Sequence, residues 1–404
     1  GDCVHPQWLD TLEEKLQPAE EGLFALRSDH DTLAAGRVPP ACRFMFRFPV
    51  TTEISNIYKR GGKVRKVHNL LCLPSLEAAR TLQGRLDAIG NIASDGRPIL
   101  GLDSRNLLEL VLESDERAYL IPAHIWTPWF SALGSKSGFD TIEECYGDLS
   151  GHIGAVETGL SSDPPMNWRL RSLDPYVLVS NSDAHSPAKL GRESTIYDTE
   201  FSYAGMKRAL FDSNDRGLVG TVEFFPQEGK YHLDGHRKCG MRMEPEETVA
   251  HGGRCPACGG LVTVGVMARV ESLADRPAGE MPPNGRPYHS LIPLPELVAD
   301  AEGRGAGTKR VSTICDRLFA RVGNELHVLR HAAIEDIAGA AGAVVAEGVR
   351  RMREGEVSIA AGYDGEFGRV KLFSESERSS IGGQTTFLTV EEGGGKPATK
   401  TSGE

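Results

Sequence analysis

Three features of this 404-residue chain predict an α/β protein. Short apolar runs alternate with helically spaced segments over residues 1 to about 225, the pattern of a parallel α/β sheet or barrel. Metal-ligand residue types stand just beyond several of those runs, and in α/β barrels the C-terminal strand ends carry the chemistry. A Gly-, Pro-, Cys- and His-rich stretch from 226 to about 295 then breaks the alternation, before helical spacing returns over 309–354.

Taken in order, His5-Pro6 can open a helix through Trp8–Leu16, with Pro in its first turn. Arg43–Phe48 and Val64–Leu73 read as strands, and Gly61-Gly62 as the hairpin turn joining the strands that carry Glu53 and His68. Ser75–Ile89 and Ser104–Leu112 have helical spacing, each opened by a Ser N-cap. Further strand-like runs lie at Ala118–Ile121, Ala155–Glu157, Tyr176–Val179 and Leu218–Glu223. From Ser374 the chain turns Gly-, Ser-, Thr-, Glu- and Lys-rich, which predicts a flexible tail over 374–404.

Composition narrows the function classes. Apolar residues make up 40% and charged residues 25%, as in soluble globular proteins, and no run reaches membrane-spanning length. A net charge of −11 argues against wholesale polyanion binding but permits a local basic groove. Of the eight Cys, five stand alone and three cluster, which suits a reducing cytoplasm with one metal knuckle better than a disulfide framework.

Asp183-Ala-His185 follows the Val179 run, and in an extended strand end residues i and i+2 share a side. With Asp2, His5, Glu53, His68 and His124 they make a candidate hydrolytic centre. Imidazole and carboxylate together suit Zn, Mn, Mg or Fe. Each residue also has a plain alternative: His5 as a helix start, Glu53 on a surface strand, His68 packed beside Val67. Asp183 is the residue expected to join ligation with water positioning, alongside Glu53 and His185. Trp126 and Trp129 flank His124 and could wall a base pocket or fill the core. Lys59, Arg60, Lys63, Arg65 and Lys66 surround the Gly61-Gly62 turn, as a solvated tip or a phosphate-gripping finger.

His236-Arg-Lys-Cys239 and Cys255-Pro-Ala-Cys258 are two half-sites of x2 spacing. Three thiolates and one imidazole make a closed tetrahedral Zn site, structural rather than catalytic. His232 competes with His236 for the fourth position, and spacing favours His236.

Together these segments resemble the endonuclease Q family. The resemblance rests on GD-x-x-HP-x-W at Gly1–Trp8, TTEIS at Thr51–Ser55, the His68 strand and AHIWTPWFSALGSKSGFD at Ala123–Asp140. It continues through ETGLSSDPPMNWR at Glu157–Arg169, NSDAHSPAKLGRE at Asn181–Glu193, the Cys/His region, ADRP at Ala274–Pro277 and GYDGEFG at Gly362–Gly368, covering all but the tail.

The resemblance implies a distorted (β/α) barrel of the polymerase-and-histidinol-phosphatase (PHP) type over 1–225. A zinc-binding region over 226–295 and a helical region over 296–373 would follow. It implies a metal-dependent endonuclease of DNA repair that nicks 5′ of uracil, hypoxanthine or xanthine, or at abasic sites. Asp2, Glu53, His68, His124, Asp183 and His185 would bind the catalytic metals, with His5 a further ligand and Glu157 orienting one of them.

Expected partners are lesion-bearing DNA and a helicase or sliding clamp, with no membrane, in the cytoplasm at the nucleoid. Without a GxxxxGK[ST] loop the chain is not expected to hydrolyse ATP. The family opens with a His-x-His strand and a helix, whereas this chain begins at Gly1-Asp2. An N-terminally truncated, impaired chain is therefore the expectation. A small-molecule phosphoesterase and a non-catalytic DNA-damage-binding module are the rival readings.

Overall fold

The computed structural model describes residues 2–94, 96–212 and 215–381, a mixed α/β structure in two compact units. The larger takes in residues up to 38, 44–291 and 359–369, and the smaller 39–43, 292–358 and 370 onward. Most of the expected tail, 382–404, lies outside the described residues, while 375–381 are helical.

The larger unit is built on a six-stranded sheet. Its path runs through β1 (Leu16–Pro18), β2 (Leu23–Leu26), β3 (Phe48–Arg60) and β4 (Lys63–Leu73). The two-residue β5 (Ile99–Leu100) joins beside β3, and β6 (Tyr119–Pro122) pairs with β4. Pairing is antiparallel except between β3 and β5, a departure from the parallel sheet expected. Gly61 and Gly62 explain it. Both hold positive φ, 61° and 74°, and such a two-residue turn folds β4 straight back on β3.

Parallel pairing returns between β7 (Ala155–Glu157) and β8 (Val177–Val179). A third sheet sets β9 (Ser194–Tyr197) antiparallel to β10 (Leu218–Glu223). A separate hairpin joins β11 (Asp234–His236) to β12 (Met241–Met243), and β13 (Tyr288–Ser290) runs parallel to β10. No closed barrel forms among the described residues.

Two local expectations shift. The strand expected over Arg43–Phe48 starts only at Phe48, because Pro39-Pro40 sets a 3-10 turn and Phe44–Phe46 remain exposed without a partner strand. Ser75 caps the helix Leu76–Asp87 by accepting from the Ala78 amide. The helix Ser104–Ser114 is capped by Asp103 instead, whose carboxylate accepts from the Arg105 amide.

Strands β4 and β6 bury both faces. Val67, Leu71 and Leu120 join a core with Ile54 and with Leu82, Leu86, Leu107 and Leu108 of the two helices. Cys72, Tyr119 and Ile121 join a second core with Ala155, Val179, Tyr203 and Leu218. This period of two dictates the site: His68 alternates with Val67 and so projects to the second face. On the first face, Asn69 Nδ2 donates to Asn56 Oδ1 at 2.8 Å and Tyr146 Oη donates to Asn69 Oδ1 at 2.5 Å.

The smaller unit is helical: Leu294–Glu302, Lys309–Arg321, Glu325–Arg330, Ile334–Ala341 and Ala343–Glu354. Leu297, Ile314, Leu318, Val328, Ile337, Val345 and Val349 are buried within it. Gly303 and Gly355 close two of these helices in the left-handed conformation, where a Cβ would be strained.

Candidate metal centre

Ser55 pairs directly with His68 across β3 and β4, so Glu53 lies diagonally from His68 on the same face. His124 follows β6, one strand further along. The three side chains converge. Glu53 Oε1 stands 3.2 Å from His68 Nδ1 and 3.3 Å from His124 Nε2, and the two imidazole nitrogens are 3.0 Å apart.

At metal–ligand distances of about 2.0–2.1 Å, adjacent ligand atoms of a tetrahedron lie about 3.3 Å apart. The triangle therefore has the dimensions of three corners of such a site, and its donor chemistry fits a divalent cation. Burial pushes the Glu53 carboxyl up, but hydrogen bonds with His124 and His68 and the charge of Arg97 prevail and hold it well below the usual range. Burial, opposed by Glu53, lowers His68 to about 4, which leaves a neutral imidazole with a lone pair to offer. For His124 burial is outweighed by Glu53, Glu157 and Asp183, and the net direction is up.

Behind the triangle, Glu157 is buried. Its Oε2 accepts from the His124 backbone amide at 2.7 Å and its Oε1 accepts from Asn181 at 2.8 Å. His124 holds a positive φ of 33° and Asp183 one of 42°, rare for residues with a side chain. With Phe130, whose ring lies 4.8 Å from that of His68, three of the four non-glycine residues described with positive φ thus belong to this neighbourhood.

The remaining expected ligands stand outside the triangle. Asp183 reaches the cluster through Arg97, whose Nη2 lies 3.6 Å from its Oδ1. The side chain of His185 is 76% exposed and its Nδ1 meets the Asp183 carbonyl at 2.9 Å. The same-side rule does not carry over, because the strand ends at Val179 and the backbone turns at Asp183. Arg192 pins this turn by donating to the Ser182 carbonyl. Asp2 is exposed on an isolated bridge to Thr52, and His5 accepts from the Trp8 amide as the helix cap.

Arg97 is the residue that sequence reasoning missed. Its Nε lies 2.8 Å from Glu53 Oε2 and its Nη1 2.9 Å from His68 Nδ1. An Arg-Pro before a two-residue strand has no periodic signature. Only the parallel pairing of β5 with β3 brings it in.

The second group assembles from β11, the turn after it and the Cys255–Cys258 loop. Ligand atoms of His236, Cys239, Cys255 and Cys258 all lie within 4.8 Å of one another. His236 Nδ1 is 3.5 Å from Cys258 Sγ. His232 is buried and stands apart from this group.

The aromatics divide. Trp126 is 1% exposed and donates to Asn167 Oδ1 at 2.8 Å, so it is a core residue and not a DNA contact. Trp129 is 45% exposed. At the hairpin tip Lys59 and Lys63 are exposed. Arg60 is tied to Asp103 and the Cys145 carbonyl, Arg65 stacks on Phe139 at 4.0 Å, and Lys66 lies over Phe130.

The chain resembles known proteins in sequence and in fold. A family model described as the MJ0043 C-terminal domain matches residues 293–356. The chain is 34% identical over 255 residues to the uncharacterized protein MJ0043 of Methanocaldococcus jannaschii, a match covering 61% of this chain. It spans only 31% of that relative's length. With the uncharacterized protein YqxK of Bacillus subtilis it shares 31% identity over 76% of this chain and 74% of the relative.

The crystal structure of the lesion-specific endonuclease PfuEndoQ from Pyrococcus furiosus superposes with a TM-score of 0.78 at 28% identity, covering 94% of this chain and 89% of that one. Endonuclease Q in complex with a 27-mer duplex substrate, with an abasic lesion at the active site, gives 0.76 at 29% identity over 93% and 87%. Matched along most of YqxK and across nearly its own whole length by endonuclease Q, this chain belongs to the endonuclease Q family.

Proposed function

We propose that this chain is a metal-dependent endonuclease of DNA repair. It hydrolyses the phosphodiester 5′ of a deaminated base (uracil, hypoxanthine or xanthine) or at an abasic site. The carrying observation is the Glu53–His68–His124 triangle, set in a fold that matches a lesion-specific endonuclease. On this reading the separate sheets are segments of a distorted PHP-type barrel over 1–225. Residues 226–295 form a region organised by one structural zinc on His236, Cys239, Cys255 and Cys258, and 296–373 a helical region.

A divalent cation supplies Lewis acidity that makes water nucleophilic at neutral pH and offsets charge on the phosphate. The protein's share is placement. Glu53 stays ionised, His68 stays neutral, and Glu157 fixes His124 through its backbone. Asp183, beside the cluster, is assigned to positioning the water. Exposed Lys59, Lys63 and Trp129 are suited to the DNA backbone and to stacking on an unpaired base.

A nicking assay on duplexes carrying uracil, hypoxanthine, xanthine or an abasic site, with Mg or Mn, tests the reading. Glu53→Gln is expected to lower nicking by at least about 100-fold, with DNA affinity within a few-fold of the parent. Parent-like cleavage by Glu53→Gln, or no cleavage of any lesion duplex by the unmodified protein, would overturn it.

A further inference from the structure

The most unusual neighbour of the triangle is a cation of the protein itself. Arg97 Nη1 lies 2.9 Å from His68 Nδ1, the same nitrogen that forms a corner of the triangle. Its Nε lies 2.8 Å from Glu53 Oε2, and its Nη2 3.6 Å from Asp183 Oδ1. One guanidinium thus touches two candidate ligands and reaches toward a third. It is 24% exposed by side chain, so it is neither sealed in the core nor loose on the surface.

We infer that Arg97 is an internal competitor of the metal, a positioning residue whose guanidinium charge opposes that of a divalent cation held by Glu53 and His68. Two arguments carry this. Nη1 lies 2.9 Å from His68 Nδ1 and 3.3 Å from its Nε2, so it sits over the imidazole face and sets a positive charge beside the nitrogen whose in-plane lone pair a cation would use. Distance gives the second: any cation about 2.1 Å from Nδ1 sits no more than roughly 5 Å from Arg97 Nη1, where like charges repel strongly in a partly buried site. Loading therefore sets the ion's charge against that of the guanidinium. The same contacts hold the Glu53 carboxylate and His68 in register for the incoming ion. Arg97 thereby sets a threshold for metal uptake while keeping the ligands arranged.

The inference rests on the reading of Glu53, His68 and His124 as a metal centre, and the experiment separates the two. Mn²⁺ is titrated into metal-stripped protein and binding is followed by electron paramagnetic resonance, since the thiolate-rich knuckle is a poor host for this hard ion. Parent, Glu53→Gln, Arg97→Met, Arg97→Gln and Arg97→Lys are compared, with melting temperature as a second readout.

Removing the charge in Arg97→Met or Arg97→Gln is expected to tighten Mn²⁺ binding by about ten-fold or more. It is also expected to lower the melting temperature of the stripped protein and enlarge the rise on adding Mn²⁺. Arg97→Lys stays near the parent. Unchanged or weaker Mn²⁺ binding in both uncharged variants, with folding intact by circular dichroism, overturns the competition while leaving the metal centre standing. Binding that Glu53→Gln does not weaken overturns the metal centre itself, and the inference falls with it.

Discussion

His124 is held in a conformation its own side chain disfavours, and one glycine makes that possible. Gly159 lies against it with φ of 63°, and a Cβ there would stand 2.4 Å from the His124 Cβ. Gly159→Ala is expected to cost about 1–3 kcal/mol in stability from backbone strain and the clash. It should also weaken metal binding by moving the imbedded imidazole. Chemical denaturation and a Mn²⁺ titration check both, and a variant as stable as the parent refutes the role.

The same scale shows what could be read from the chain. Glu53, His68 and His124 were legible because each sits in or just after an apolar run whose alternation sets its direction. The directions of Asp183 and His185 were not legible, because the i, i+2 rule holds only while the backbone stays extended, and here it turns at Asp183. Trp126 was ambiguous because its partner, Asn167, is 41 residues away.

Among the elements, β9 and β10 bring buried carboxyls together. Glu193 immediately precedes β9, Glu223 ends β10, and both are almost fully buried. Glu223 Oε2 accepts from Thr158 and Ser180, whereas Glu193 Oε2 and Glu223 Oε1 have no hydrogen-bond partner among the described residues. Burial, and for Glu193 the neighbouring charge of Glu223, pushes both above the ordinary carboxylate range.

Carboxyls raised in the folded state bind protons that the unfolded chain has released. Their stabilisation is full at acid pH, below the unfolded value, and is lost as pH rises through the raised values. Glu223→Gln is therefore expected to lift the melting temperature by roughly 2–4 °C at pH 9 and to change it little at pH 4. Thermal melts across that range decide it, and parallel profiles for variant and parent refute the assignment. No sequence pattern announced this pair, since the residues are 30 positions apart and meet only through strand pairing.

On the scale of the molecule, the Cys/His region is where local spacing told most. Two x2 half-sites leave few ways to gather three sulfurs and one nitrogen, and the structure gathers those four. Strand direction was less legible. Apolar runs buried on both faces read alike whether their neighbours run parallel or antiparallel, and the Gly61-Gly62 turn was the only local clue.

If the knuckle organises its region, Cys255→Ser should abolish one equivalent of tightly held zinc and lower the melting temperature by about 5 °C or more. Elemental analysis alongside calorimetry checks this, and zinc retained at one equivalent by the variant counts against it. Among the described residues no helix is long and apolar enough to cross a membrane.

The two-faced hairpin carries one further consequence. The Asn56–Asn69–Tyr146 hydrogen bonds lie on one side of β3 and β4, and Glu53 and His68 on the other. A slip of one residue would trade the sides, driving His68 into an oily interior and presenting Val67 to the side that carries Glu53. The asparagine pair, remote from any chemistry, thus works as a keyed connector that admits one alignment of the two strands. An insertion at Gly61-Gly62 would be read first as a scattered Glu53–His68 pair, and only afterwards as a folding defect.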